Sequence, residues 1–294
     1  MALVRVLAAG ALALCVVPSL AAPAPALASP RLGIADQRPA VFADKRLRSL
    51  HVRDARLVVP YDAARDPRFA PLAAAWLRAA RAHHVRVLVS FGGSTRHRSA
   101  PSVAAYRSAV RAFRARYPWV RAFEAFNEPN HSTQPTYRHP ELAAGYWRAL
   151  RADCRRCTVA AGGLTGFSAR TRHWFARYRR ALHARPRTWA FHNYADVNRG
   201  STAQVRAFMA AAGRGELWLT ETAGVLRMRG HRVLGSARVQ ATRERTAWRA
   251  LRAMRRVTRV YRYQWRALRG ERWDSALLDE RGRPRPVYWI YTRR

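Results

Sequence analysis

Two glutamates carry the first chemical signal in this chain. Glu128 stands in Phe123-Glu124-Ala125-Phe126-Asn127-Glu128-Pro129-Asn130, and Glu221 closes Leu217-Trp218-Leu219-Thr220-Glu221, each at the end of a short apolar run. Only 17 of the 294 residues are acidic, so a carboxylate at the tip of each of two strand-like segments reads as functional rather than as surface decoration. Two carboxylates facing each other across a sugar-sized cleft are what glycoside cleavage requires: one protonates the departing oxygen and the other attacks or activates water. At a separation of about 5 to 5.5 Å the second is a nucleophile and the anomeric configuration is retained.

Such a pair must be held by a regular scaffold. Eight short β-rich runs alternate with Ala/Arg-rich amphipathic stretches: Leu32 to Ala35, Arg56 to Pro60, Val85 to Phe91, Ala122 to Asn127, Thr158 to Gly162, Thr188 to Tyr194, Leu217 to Glu221 and Thr258 to Trp265. That alternation is the pattern of βα units around a parallel sheet. Val103, Tyr106, Val110, Phe113 and Tyr117 fall at a 3-4-3-4 spacing that lays one apolar stripe along a helix, and Val205, Phe208 and Met209, then Trp248, Leu251 and Met254, predict further outer helices. The expected fold is α/β, a single (β/α)8 TIM barrel over residues 29–294, with the chemistry at the carboxyl ends of its strands.

Asn127-Glu128-Pro129 on the fourth strand and Glu221 on the seventh resemble the clan A glycoside hydrolases, the retaining (β/α)8 enzymes also called the 4/7 superfamily. The resemblance spans roughly residues 31–291. It implies that Glu128 is the acid/base, with a pKa raised by a neighbouring carboxylate and partial burial, and that Glu221 is the nucleophile. Asn127 matches the Asn that contacts the sugar 2-hydroxyl. His192-Asn193-Tyr194 is similar to the family's His-x-Tyr, with His192 and Tyr194 on one strand face and the Tyr bonded to the nucleophile. Trp265, at the end of the eighth strand, resembles the Trp that floors the subsite of the attacked sugar. Arg56 resembles the Arg that keeps the nucleophile ionised; its other reading is a structural ion pair with Glu124, which is left out of the site. Phe91-Gly92-Gly93 departs from the His common near the end of the third strand, and Thr222-Ala223-Gly224 departs after Glu221.

Composition and the chain's ends set the compartment and the partners. Half the residues are apolar (49%) and 11% aromatic, which excludes a disordered chain. Residues 1–28 read as a signal peptide: Arg5, an apolar run from Val6 to Ala22, then Ala26-Leu27-Ala28 as a small-x-small cleavage site. Export removes Cys15 and leaves Cys154 and Cys157, whose pairing as a disulfide is favoured outside the cell; without a second Cys pair, neither they nor the scattered histidines argue for a metal. No cofactor is expected. Asn130-His131-Ser132 matches a glycosylation acceptor, but its place beside Glu128 argues against a glycan. The net charge of +38 comes almost wholly from Arg, Lys45 being the only lysine. Compositional bias spreading Arg over every helix face accounts for it; the rival reading is a barrel that binds anionic wall polymer or nucleic acid, although no dedicated nucleic-acid motif is present. The expectation is therefore a secreted, monomeric retaining glycosidase acting on a β-linked poly- or oligosaccharide, with transglycosylation using the same residues. Electrostatic association with an anionic cell surface is a further expectation.

Overall fold

The computed structural model describes residues 29–228 and 235–292, so the expected signal peptide lies outside the described residues. Strands β1 (Arg31–Ala35), β2 (Asp54–Pro60), β3 (Arg86–Gly92), β4 (Ala122–Glu124), β5 (Thr158–Thr165), β6 (Thr188–His192), β7 (Glu216–Thr222), β8 (Arg227–Met228), β9 (Val257–Tyr263) and β10 (Trp273–Asp274) follow one another along the chain. β1 to β7 and β9 form one closed parallel barrel, β9 pairing with both β7 and β1. β8 and β10 pair antiparallel beside it. Helices α1 (Lys45–Ser49), α2 (Ala70–Ala82), α3 (Val103–Arg116), α4 (Pro140–Asp153), α5 (Ala169–Ala181), α6 (Tyr194–Asn198), α7 (Ala203–Ala212) and α8 (Ala237–Arg252) connect the strands. The fold is the expected (β/α)8 barrel.

The helices begin where the sequence supplies a cap. The side chains of Ser102, Ser168 and Ser236 accept hydrogen bonds from the backbone N–H groups of Ala105, Thr171 and Val239, satisfying first-turn donors of α3, α5 and α8. Pro stands in the first turn of α2 and α4, where its missing N–H costs nothing. The predicted stripe on α3 is buried at Tyr106, Val110 and Phe113, and the Tyr106 hydroxyl donates to Ala125 O at 2.5 Å, tying α3 to the chain just past β4.

Alternation along the strands separates two cores. Outward positions join the large apolar layer under the helices, while Ala35, Leu88, Ala160, Ala190, Trp218 and Tyr261 fill the barrel lumen. A Cβ on Gly33 would lie 2.7 Å from the Tyr261 ring, so glycine there makes room for that ring. The Arg259 guanidinium sits 3.9 Å from the centre of the Trp218 ring.

Three expected strands end early, and the fifth runs on from Gly162 to Thr165. β4 stops at Glu124 rather than Asn127, because the chain turns there into irregular backbone held by Asn127 N–H donating to Phe91 O and Glu128 N–H donating to Gly163 O. β6 stops at His192, and Tyr194 opens α6 instead of continuing the strand. β9 stops at Tyr263, so Trp265 lies beyond it.

Candidate active site

Arg56 rises from β2 in the lumen and is the hub of the site. It is fully buried, and its guanidinium donates from Nη1 to Glu221 Oε1 at 2.5 Å and from Nη2 to Asn127 Oδ1 at 2.6 Å and Glu124 Oε1 at 3.1 Å. Both readings of Arg56 therefore hold together: it pairs with the buried Glu124, which Ser90 Oγ also serves at 3.0 Å, and it reaches Glu221. Because a guanidinium can only donate, the contact fixes Asn127 with Oδ1 toward Arg56 and its amide nitrogen turned away.

Glu221, near the end of β7, is held at both carboxylate oxygens. Tyr194 donates to Oε2 at 2.6 Å while Arg56 takes Oε1. Tyr194 reaches this place from the first turn of α6, not from a strand face. Glu128 lies on the loop after β4 with φ +46°, a left-handed conformation that costs a non-glycine residue about 1–3 kcal/mol. The surroundings impose it: Asn130 exchanges both amide ends with the Thr165 backbone at 2.9 and 3.0 Å, and Gly163 accepts from Glu128 N–H at 3.0 Å. Gly163 itself has φ +72°, and a Cβ there would fall 2.3 Å from Glu124 Oε1, so only glycine lets β5 come this close. Asn130, matched in the sequence only to a glycosylation acceptor, is thus a buried clamp for the Glu128 loop.

His192 lies between the two glutamates. Its Nδ1 is 2.9 Å from Glu128 Oε1 and 3.7 Å from Glu221 Oε2. Ligand-type atoms of Glu128, His192 and Glu221 all lie within 4.8 Å of one another. That spacing could hold a cation, but the Arg56 guanidinium already supplies the positive charge at Glu221, and a metal beside it would meet like-charge repulsion.

Trp265 is not brought to the site. It is 4% exposed, packed edge-on against Tyr288, with its backbone N–H on Asp36 and its indole N–H on Asp44 at 3.0 Å. The aromatics near Glu221 are Tyr263, partly buried against the lumen cluster, and Trp273, edge-on to Tyr194 with ring centres 5.0 Å apart. The two-residue period running through Tyr261 and Tyr263 could have found the first; Trp265 continues that period in sequence after the strand has ended.

A family model described as glycosyl hydrolase catalytic core matches residues 96–291, two thirds of the chain and every element from α3 to the final turn. The chain belongs to this glycosyl hydrolase family. No curated protein matches it by sequence. Among solved structures, this glycosyl hydrolase is similar to a GH39 β-xylosidase from Caulobacter crescentus, with a TM-score of 0.63 at 18% identity over 90% of this chain and 72% of that one. A psychrophilic family 10 endo-β-1,4-xylanase gives 0.65 at 14% identity over 90% and 97%. A GH128 endo-β-1,3-glucanase from Pseudomonas viridiflava gives 0.61 at 18% over 90% and 97%. These likenesses bear out the barrel, and the family match bears out the reading of the chain as a glycosyl hydrolase.

The electrostatics of the glycosyl hydrolase site differ from expectation at Glu128. Burial pushes its carboxyl up, but the hydrogen bond and charge of His192 more than offset that and hold it below the ordinary carboxylate value. Burial pulls His192 down, yet the charge of Glu221 and the bond to Glu128 raise it above the ordinary imidazole value. The resting proton of this pair therefore sits on the imidazole. Burial, then the charge of Glu221, raises Tyr194 far above the usual phenol range, so it stays a donor to that carboxylate. Burial and the same charge raise Tyr263.

Proposed function

We propose that this glycosyl hydrolase cleaves a β-linked glycan with retention, Glu221 as nucleophile and Glu128 as acid/base. The observation that carries the reading is the closeness of the two carboxylates, an oxygen of each within 4.8 Å of the other, nearer the roughly 5–5.5 Å spacing of retaining enzymes than the roughly 6.5–9.5 Å of inverting ones. Glu221, oriented by Arg56 and Tyr194, attacks the anomeric carbon as Glu128 protonates the leaving oxygen. The charge of Glu221 is the largest influence raising His192, and attack consumes that charge. In the same step His192 yields its proton along the 2.9 Å bond to Glu128, which passes it to the leaving group. Glu128 next takes a proton from water, which releases the sugar. As Glu221 recovers its charge, the proton returns to His192. Asn127, held by Arg56, offers its amide nitrogen to a sugar hydroxyl, and Tyr263 and Trp273 offer ring faces and edges to the bound sugar.

The Cys154–Cys157 disulfide supports an extracellular setting for this activity. The test is release of reducing ends from β-glucans, mannans, xylans and acidic glycans by the wild type and by Glu128→Gln, with the anomeric configuration of the first product read by proton NMR. Release that the variant loses, with a retained first product, is the expected result. An inverted first product, or full activity in Glu221→Ala, overturns the assignment.

A further inference from the structure

We propose that the amino-terminal face of the barrel, opposite the catalytic mouth, carries a cleft that binds an anionic polysaccharide strand. A concavity of about 760 Å³ opens between the end of α4 and the loop that follows α5, beside Thr188 and Glu216 at the starts of β6 and β7. His192 and Glu221 stand toward the other ends of those same strands, so a polymer held here leaves the mouth free. Arg148, Arg151, Arg155, Arg185 and Arg187 line the cleft, and all five are exposed.

Arginine is abundant everywhere in this chain, and exposed arginines without a side-chain partner stand on several helices; what sets this group apart is that five of them line one concavity. Arg148 donates to Ala181 O, whereas among the described residues the side chains of Arg151, Arg155, Arg185 and Arg187 make no hydrogen bond, ion pair or ring contact. The carboxylates that could neutralise them are engaged elsewhere. Asp153 is taken by Arg107 at 2.6 Å and Arg111 at 2.8 Å, and Glu216 accepts from the Thr188 hydroxyl at 2.9 Å and the Thr258 hydroxyl at 2.5 Å. Four unpartnered cations and Arg148 thus share one concave surface whose single lining carboxylate is Glu216.

The covalent structure supports that presentation. The Cys154–Cys157 bridge closes the turn that carries Arg155, and Cys157 itself lines the cleft, so this guanidinium projects from a short clamped loop. The cleft also argues for the kind of polymer. Its single Trp, Trp147, is buried with its indole N–H on Val159 O, so no exposed Phe, Tyr or Trp face lines the cleft for nucleobases to stack on, and His183 is its one exposed ring. A concave wall of guanidiniums suits a flexible strand bearing regularly spaced carboxylates, and guanidinium forks match that anion.

The test measures binding rather than turnover, so it stands or falls apart from the hydrolytic reading. Alginate is the probe. The variant Arg151→Gln/Arg155→Gln/Arg185→Gln/Arg187→Gln is compared with a control carrying the same loss of charge on outer helices, Arg78→Gln/Arg206→Gln/Arg245→Gln/Arg249→Gln. The cleft variant is expected to bind about 30-fold more weakly with a shallower salt dependence, and the control to change by less than about threefold. Arg185→Gln/Arg187→Gln, confined to the loop, is expected to lose about fivefold and serves if the quadruple variant fails to fold. Equal losses in the cleft and control variants, or no salt-sensitive binding of alginate by the wild type, overturn the proposal. Tighter binding of single-stranded DNA than of alginate, lost in the same cleft variant, overturns the polysaccharide and assigns the cleft to nucleic acid.

Discussion

His192 has no freedom left over: fully buried, it touches Glu128 and stands 3.7 Å from Glu221. Its raised pKa means that the shared proton stays in the site until pH passes above the ordinary imidazole value of about 6.5. In His192→Gln the proton has only Glu128 to hold it. The basic limb of kcat/KM is therefore expected to move to lower pH, with a measurable loss of activity at neutrality, while the acidic limb moves less; a limb that stays in place would show that the imidazole plays no part in holding the proton. The pair also links stability to pH. Glu128, lowered, contributes above the ordinary carboxylate pKa and loses its contribution as pH falls through its folded value; His192, raised, contributes below about 6.5 and loses it as pH rises through its folded value. The Glu128→Gln change is expected to lower kcat on natural glycans by about 10²–10⁴, and far less on aryl glycosides whose leaving group needs no proton, as steady-state kinetics on the two substrate types would show.

At the scale of elements, the site depends on how β4 ends and how β5 yields to it. β4 is only three residues long, and the chain beyond it carries Glu128 in a left-handed conformation against the β5 bulge between Gly162 and Leu164. Gly163→Ala places a methyl group 2.3 Å from Glu124 Oε1 at φ +72°. The expected result is a loss of about 1–3 kcal/mol of stability, read as a fall in Tm, together with a loss of activity, because the carbonyl that anchors Glu128 must shift. A variant with unchanged Tm and kcat would show that the loop does not rely on this approach. The existence of β4, β6 and β9 is legible from their apolar runs, but their ends are not. Tyr194 and Trp265 both extend a two-residue alternation in sequence; backbone bonding turns one into a helix that still reaches Glu221 and the other into the outer core on Asp44.

Across the whole molecule, positive charge is distributed in two ways. Inside, Arg56 and Arg262 are fully buried and paired, with Arg262 on Glu244. Outside, arginines coat the helices, consistent with compositional bias, and five of them line one cleft. Because the groups at the mouth are buried and already paired, ionic screening reaches them weakly. Hydrolysis of a neutral soluble glycan is expected to change by less than about twofold across the range of ionic strength that abolishes polyanion binding. A steep salt dependence of the hydrolysis itself would place surface charge in the catalytic step.

The sequence by itself determined the barrel and the central pair. Eight apolar runs with helical stripes between them admit few other folds, and acidic residues are too rare here for two strand-end glutamates to pass unnoticed. Its resemblance to a known family also marked Arg56, Asn127, His192 and Tyr194, which the fold gathers around Glu221 and Glu128. Only the tertiary structure decided how these groups meet: that Arg56 serves Glu124 and Glu221 at once, that His192 bonds Glu128 and lowers its pKa, and that Tyr263 and Trp273, not Trp265, stand near Glu221. Each of those depends on distances between different strands and on where a strand stops, quantities set by backbone hydrogen bonding and close approach in space. Local pattern carries the first kind of information and not the second.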